Sequence, residues 1–109
     1  MADNIGEIRI ADNVVAVVAG VAVEEVSDVS VRSGGLYQDL AKKIQGGMKG
    51  INVSILDGRV TIDLRISVRY GVPIHHACNT LQKKVKETVE HITGLFVEAI
   101  NVRVDTIEL

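Results

Sequence analysis

The sequence predicts an α+β fold: a two-layer domain with a mixed β-sheet of about five strands and two main helices on one face, in the order β-α-β-β-β-α-β. Three observations carry this. Residues 59–70 set Val60, Ile62, Leu64, Ile66 and Val68 alternately with Arg59, Asp63, Arg65 and Arg69, and a period of two marks a strand with one buried face. Ile74, Ala77, Cys78, Leu81, Val85, Val89 and Ile92 recur instead at three- and four-residue spacing, the stripe of an amphipathic helix. Between residues 51–55 and 59–70 stands Asp57-Gly58, a strong signal for a two-residue hairpin turn.

The elements follow in order. Residues 7–10 alternate Ile8 and Ile10 with Glu7 and Arg9 and read as a short first strand. Asp12 offers an N-cap for a helix through about Val26. Its valines at 14, 15, 17, 18, 21 and 23 make it apolar nearly all round, as in a buried helix, although valine itself favours strands. A short strand over 29–32 leads to Gly34-Gly35 and a weaker helical stretch over 36–45, closed by Gly46, Gly47 and Gly50. After the hairpin, Gly71-Val72-Pro73 ends the long strand, and Pro73 suits the first turn of the second helix. On its solvated side Lys83 with Glu87 and Lys86 with Glu90 form i,i+4 pairs of about 0.3 kcal/mol each. Gly94 stops that helix. The last strand, 96–106, turns Ile100, Val102 and Val104 inward; Glu98 has the wrong parity for that set and predicts a bulge or a late strand start. From residue 59 to 106 the chain is a β-α-β crossover, so its two strands run parallel.

Composition narrows the function. At 109 residues with 47 % apolar and 24 % charged side chains, the chain (1–109) reads as one soluble domain with one core. With only 3 % aromatic residues, that core is built from Val, Ile, Leu and Ala. A net charge of −2 argues against a general nucleic-acid binder, which shows a basic excess. One cysteine gives no internal disulfide and fits a reducing cytosol. The first thirteen residues lack a basic n-region and read as no secretory signal. The longest apolar run, 14–23, is half of the roughly 20 residues that span a bilayer, so membrane association calls for a partner.

The arginines give the best internal clue. All six fall on predicted strands, with Arg9, Arg32 and Arg103 beside apolar neighbours and Arg59, Arg65 and Arg69 along one strand, whereas the six lysines lie in helices and a loop. With the apolar set facing the core, the arginines share the other face. Arg59, Arg65, Arg69 and Arg103 are therefore the candidate partner-binding residues. Arginine binds carboxylate and phosphate in a fork geometry and is enriched at interfaces. The same face carries Glu7, Asp63 and Asp105, and mutual pairing across strands would leave it merely solvated. Both readings stand at this stage.

Chemistry has few candidates. His75 and Cys78 have a possible ligand spacing, but Cys78 belongs to the apolar stripe and a metal site needs about four ligands. His91 is sixteen residues beyond His75, about 24 Å along a helix. Cys78 reads as a packing residue and the histidines as surface groups; no metal and no cofactor is expected. Gly47-Met48-Lys49-Gly50 matches the backbone clamp of KH RNA-binding modules, but there the loop joins two helices and here a strand follows. A flexible turn is the stronger reading. No nucleophile with its base, phosphate loop or dinucleotide fingerprint occurs, and no small-molecule substrate is expected.

Four segments, GEIRIADNVVAVVAGVAV, DGRVTIDLRISVRYGVPI, TLQKKVKETVEHITGL and VEAINVRVDTIEL, together resemble the alkaline-shock or general-stress proteins of Gram-positive bacteria, a family tied to the cell envelope. Residues 34–50 depart from the family's Gly- and Lys-rich connection. The resemblance implies a non-enzymatic cytoplasmic protein of envelope stress or homeostasis, which self-associates or sits at the inner membrane face through a membrane-anchored protein partner. It transfers no catalytic residue. The alternative is a small KH-like nucleic-acid-binding module using the arginine face.

Overall fold

The computed structural model describes residues 5–31 and 50–109. The elements are α1 (Asp12–Glu24), β1 (Val29–Val31), β2 (Ile51–Leu56), β3 (Arg59–Arg69), α2 (Ile74–Thr93) and β4 (Phe96–Glu108). Among these residues the architecture is the α+β arrangement expected, with a mixed sheet of four strands. β3 is its spine. Along one edge β3 pairs antiparallel with β2 through its first half and with β1 through its second. Along the other edge it pairs parallel with β4 over its whole length.

The alternation of β3 fixes the two layers. Val60, Ile62, Leu64, Ile66 and Val68 are buried, while Arg59, Asp63, Arg65 and Arg69 are exposed. The buried set packs with Val15, Ala19 and Val23 of α1 and Leu81, Val85 and Val89 of α2. Tyr70 and Phe96 lie at the surface, so this core is aliphatic.

Local chemistry explains the joints. Asp57 and Gly58 adopt φ of 53° and 75°, the two positive angles that an Asp-Gly hairpin turn requires. Gly94 ends α2 at φ 76°, its N–H donating to Glu90 O at 2.9 Å; a Cβ is disfavoured in that left-handed conformation. β4 carries two register shifts against β3. One inserts Glu98, as its wrong parity predicted; the other inserts Asp105.

Four expectations need correction. Residues 7–10 form no strand. Both edges of β3 are occupied by other strands, Arg9 pairs with Glu7 two residues away at 3.1 Å, and Ile8 is 93 % exposed. Among the described residues the order is accordingly α-β-β-β-α-β. Asp12 is the first helical residue and not the N-cap, which is Ala11 without a side-chain bond; the carboxylate there still complements the helix dipole. α1 is two-sided, because Val14 and Val21 are exposed while Val15, Ala16, Ala19 and Val23 are buried. Ile74 and Ile92, at the two ends of the α2 stripe, are exposed as well, and the buried part of the stripe runs only from Ala77 to Val89. The helical stretch at 36–45, the Gly47–Gly50 clamp motif up to residue 49, and Arg32 lie outside the described residues.

Candidate interaction surface

The odd-numbered side chains of β3 and their ladder partners form the sheet face opposite the helices. From the hairpin end, its rows are Leu56–Arg59–Phe96, Ser54–Thr61–Ala99, Asn52–Asp63–Asn101, then Arg65–Arg103, Ser30–Ser67–Thr106 and finally Arg69–Glu108. Apart from Leu56 and Phe96 at one end, these are small or polar side chains. No described element covers them.

Arg65 and Arg103 are direct ladder partners, an arrangement that sets two like charges at strand spacing. Asp105 resolves it. As the extra residue of a bulge, it turns its carboxylate between them, one oxygen accepting from Arg65 Nε at 2.9 Å and the other from Arg103 Nε at 2.8 Å. The Asp105 side chain is 10 % exposed, against 51 % for Arg65 and 74 % for Arg103. Arg69 Nη2 donates to Asp28 Oδ1 at 2.7 Å, and the Arg69 backbone N–H donates to Asp28 O at 3.0 Å. Ser30 Oγ donates to Glu108 at 2.9 Å, and Asn101 Nδ2 to Asp63 at 2.8 Å. Among the described residues Arg59 makes no ion pair.

The four candidate arginines thus do share one face, three of them oriented by carboxylates. The face is balanced in charge: Arg59, Arg65, Arg69 and Arg103 stand with Asp28, Asp63, Asp105 and Glu108. Five polar residues (Asn52, Asp63, Arg65, Asn101, Arg103) and Val102 line a depression on it of about 280 Å³. Arg9 lies off the sheet.

The outer edge of β4 is treated unequally along its length. Gln82, Lys86 and Glu90, four residues apart on α2, reach its first half. Gln82 Nε2 donates to Ile100 O at 2.9 Å, Lys86 Nζ to Val97 O at 3.2 Å, and Glu90 accepts from Val97 N at 3.0 Å. Lys86 also bonds Glu90 at 2.8 Å and sits 5.1 Å from the Phe96 ring centre. The hydrogen bond from Lys86, followed by that from the Val97 amide, holds the Glu90 carboxyl below its ordinary range. Sequence spacing revealed the Lys86–Glu90 pair but not its use on a strand edge. It also missed Asp28, which lies before β1.

His75 and His76 are exposed at the start of α2, and Cys78 is partly buried. Burial pushes the Cys78 thiol up, away from the thiolate that nucleophiles and metal ligands use. Among the described residues no three His, Cys, Asp or Glu side chains come together as a metal site. No described helix is long and apolar enough to cross a membrane.

Comparison with known proteins agrees with the resemblance read from the sequence. The alkaline shock protein family, described as having a cell envelope-related function, matches residues 1–109. The chain is 30 % identical over 104 residues to YqhY of Bacillus subtilis (strain 168), covering 93 % of this chain and 76 % of that one. It is 32 % identical over 108 residues to YloU of the same organism, covering 95 % and 90 %. A stress response regulator, the gls24 homolog of Streptococcus pyogenes serotype M3 (strain ATCC BAA-595 / MGAS315), is 28 % identical over 102 residues; the match spans 91 % of this chain but 57 % of that protein. No solved structure matches the chain.

Proposed function

Because the chain belongs to the alkaline shock protein family, whose function is cell envelope-related, we propose that it acts without catalysis, as an interaction or scaffold protein of the envelope stress response in the cytoplasm. In this reading it self-associates or docks on a membrane-anchored protein partner through the open sheet face, with Arg59, Arg65, Arg69 and Arg103 as contacts. The observation that supports it is the combination of a face that no described element covers and guanidinium groups held by carboxylates. Arg65, Arg69 and Arg103 are exposed at their heads yet oriented by carboxylates, so little side-chain freedom is lost on binding. The equal number of carboxylates on the face favours a protein surface of mixed charge over a phosphate backbone, whose binders carry a basic excess.

The test uses Arg59→Glu with Arg69→Gln, which spares Asp105 and keeps a donor near Asp28. Wild type should co-sediment with membrane vesicles from a Gram-positive host and lose this when the vesicles are stripped by protease. The double variant should bind at least about tenfold more weakly with an unchanged melting temperature, as charge reversal at an interface costs several kcal/mol. Equal co-sedimentation of the variant would reduce the face to a solvated surface. Binding that survives protease but falls steeply with salt would point to phosphate groups instead.

A further inference from the structure

Among the described residues a strand pattern and a stretch of strand edge both stand without a ladder partner. Residues 7–10 have the alternation of a strand, and Arg9 and Glu7 do lie on one side, 3.1 Å apart and exposed. Ile8, on the other side, is 93 % exposed, and Ile10 packs against the core. The arm therefore leaves its own core at Ile10 and holds an isoleucine in water. The acceptor is the second half of β4. Val97 turns both its N–H and C=O outward to α2, and Ile100 turns its C=O outward to Gln82. Continuing the two-residue alternation turns the N–H and C=O of Val102 and Val104 outward too. Among the described residues, neither a strand nor a side chain meets them. Such an edge is a template for another chain.

We propose that residues 7–10 of one copy add to the β4 edge of a second copy, beside residues 103–106. The inference rests on the self-association reading above and moves the contact between copies from the open sheet face to the adjoining β4 edge, where Arg103 borders both. Charge selects the arrangement. With Ile8 beside Val104, parallel addition sets Glu7 beside Arg103 and Arg9 beside Asp105. The antiparallel arrangement of the same residues opposes Glu7 to Asp105 and Arg9 to Arg103, and like charges directly opposite destabilise a sheet. Either direction keeps each side chain on its matching face, with Ile8 joining Val104 on the helix side and Glu7 and Arg9 extending the polar face, so the charges alone select the parallel one. Arg103, whose side chain is 74 % exposed, gains a second carboxylate. Affinity in such strand addition comes from main-chain bonds and specificity from alternate side chains.

Sedimentation equilibrium of the full chain over a wide concentration range tests this, together with amide exchange at Val102 and Val104. Wild type should dimerise, with both amides slowing as concentration rises. Ile8→Asp should weaken the dimer at least about tenfold without changing the melting temperature of the monomer, in which Ile8 is exposed. Glu7→Arg and Arg103→Glu should each weaken it similarly, and the double swap should restore it. A chain monomeric at every concentration overturns the inference, even if it still binds envelope vesicles, in which case docking stands alone. A dimer indifferent to Ile8→Asp, with Val102 and Val104 exchanging as in the monomer, overturns it equally. Should Arg103→Glu fail to fold, the Ile8→Asp and exchange results decide.

Discussion

Asp105→Asn is the perturbation that most directly probes how the arginine face is built. It keeps the shape of the side chain and removes the charge that Arg65 and Arg103 share. Two charge-assisted hydrogen bonds, at 2.9 and 2.8 Å, would be worth about 1.5–3 kcal/mol each if buried. Both guanidinium heads are more than half exposed, so solvent screening brings each nearer to about 1 kcal/mol or below. Loss of the carboxylate also leaves Arg65 and Arg103 opposed as ladder partners, a further few tenths of a kcal/mol. The expected cost is about 2 kcal/mol, or a fall of roughly 10 °C in melting temperature for a domain of this size. Circular dichroism melts at neutral pH measure it. In 1 M salt, where the Debye length is about 3 Å, the penalty should shrink. Adding Arg103→Gln to Asp105→Asn should recover part of the loss, since the like-charge contact goes with it. A penalty below about 0.5 kcal/mol, or one untouched by both salt and Arg103→Gln, would refute the picture of one carboxylate holding two arginines.

Two further outcomes are expected. Cys78→Ala should cost about 1 kcal/mol for a small lost volume, and the native thiol, pushed up by burial, should react with a thiol reagent far more slowly than the unfolded one; rapid native labelling would contradict its packing role. Glu90 has a folded-state carboxyl lowered below its unfolded range by Lys86 and the Val97 amide, so its stabilisation is present above the unfolded pKa and lost as pH falls through the lower, folded one. Glu90→Gln should therefore flatten the acid limb of a melting-temperature profile, and parallel profiles for the two proteins would mean that the edge contact contributes nothing.

What the sequence showed and what it hid divide along the range of the interactions. The alternation of β3, the Asp57-Gly58 turn and the stripe of α2 are local, and each is present as read. The placement of Arg59, Arg65, Arg69 and Arg103 on one face follows from the same period of two. Residues 7–10 show the limit of that argument. Alternation states which side chains share a side, whereas a strand also needs a ladder partner, and β3 already has its edges filled. The Asp28–Arg69 bond spans 41 residues and no periodicity encodes it. Ile74 and Ile92 match the α2 stripe as well as Leu81 does, yet both are exposed, because periodicity fixes the face of a helix and not what packs against its ends.

The bulges of β4 lie between these extremes. Val97, Ile100, Val102, Val104 and Ile107 pair respectively with Val60, Ile62, Leu64, Ile66 and Val68 on the helix side of β3. Their spacings along the strand are three, two, two and three, and a regular strand permits only two. Each spacing of three carries one register shift, so the chain accommodates Glu98 and Asp105 as extra residues and its apolar side chains stay on the helix side, Val97 and Ile100 buried in the core and Ile107 exposed at its margin. Without the second shift, Ile107 would turn to the polar face and Thr106 and Glu108 to the helices. The residue that this packing constraint leaves over is the carboxylate that Arg65 and Arg103 share. The apolar register on one side of the sheet thereby sets the electrostatics of the other, and it also determines which β4 backbone groups beside Arg103 no described strand meets.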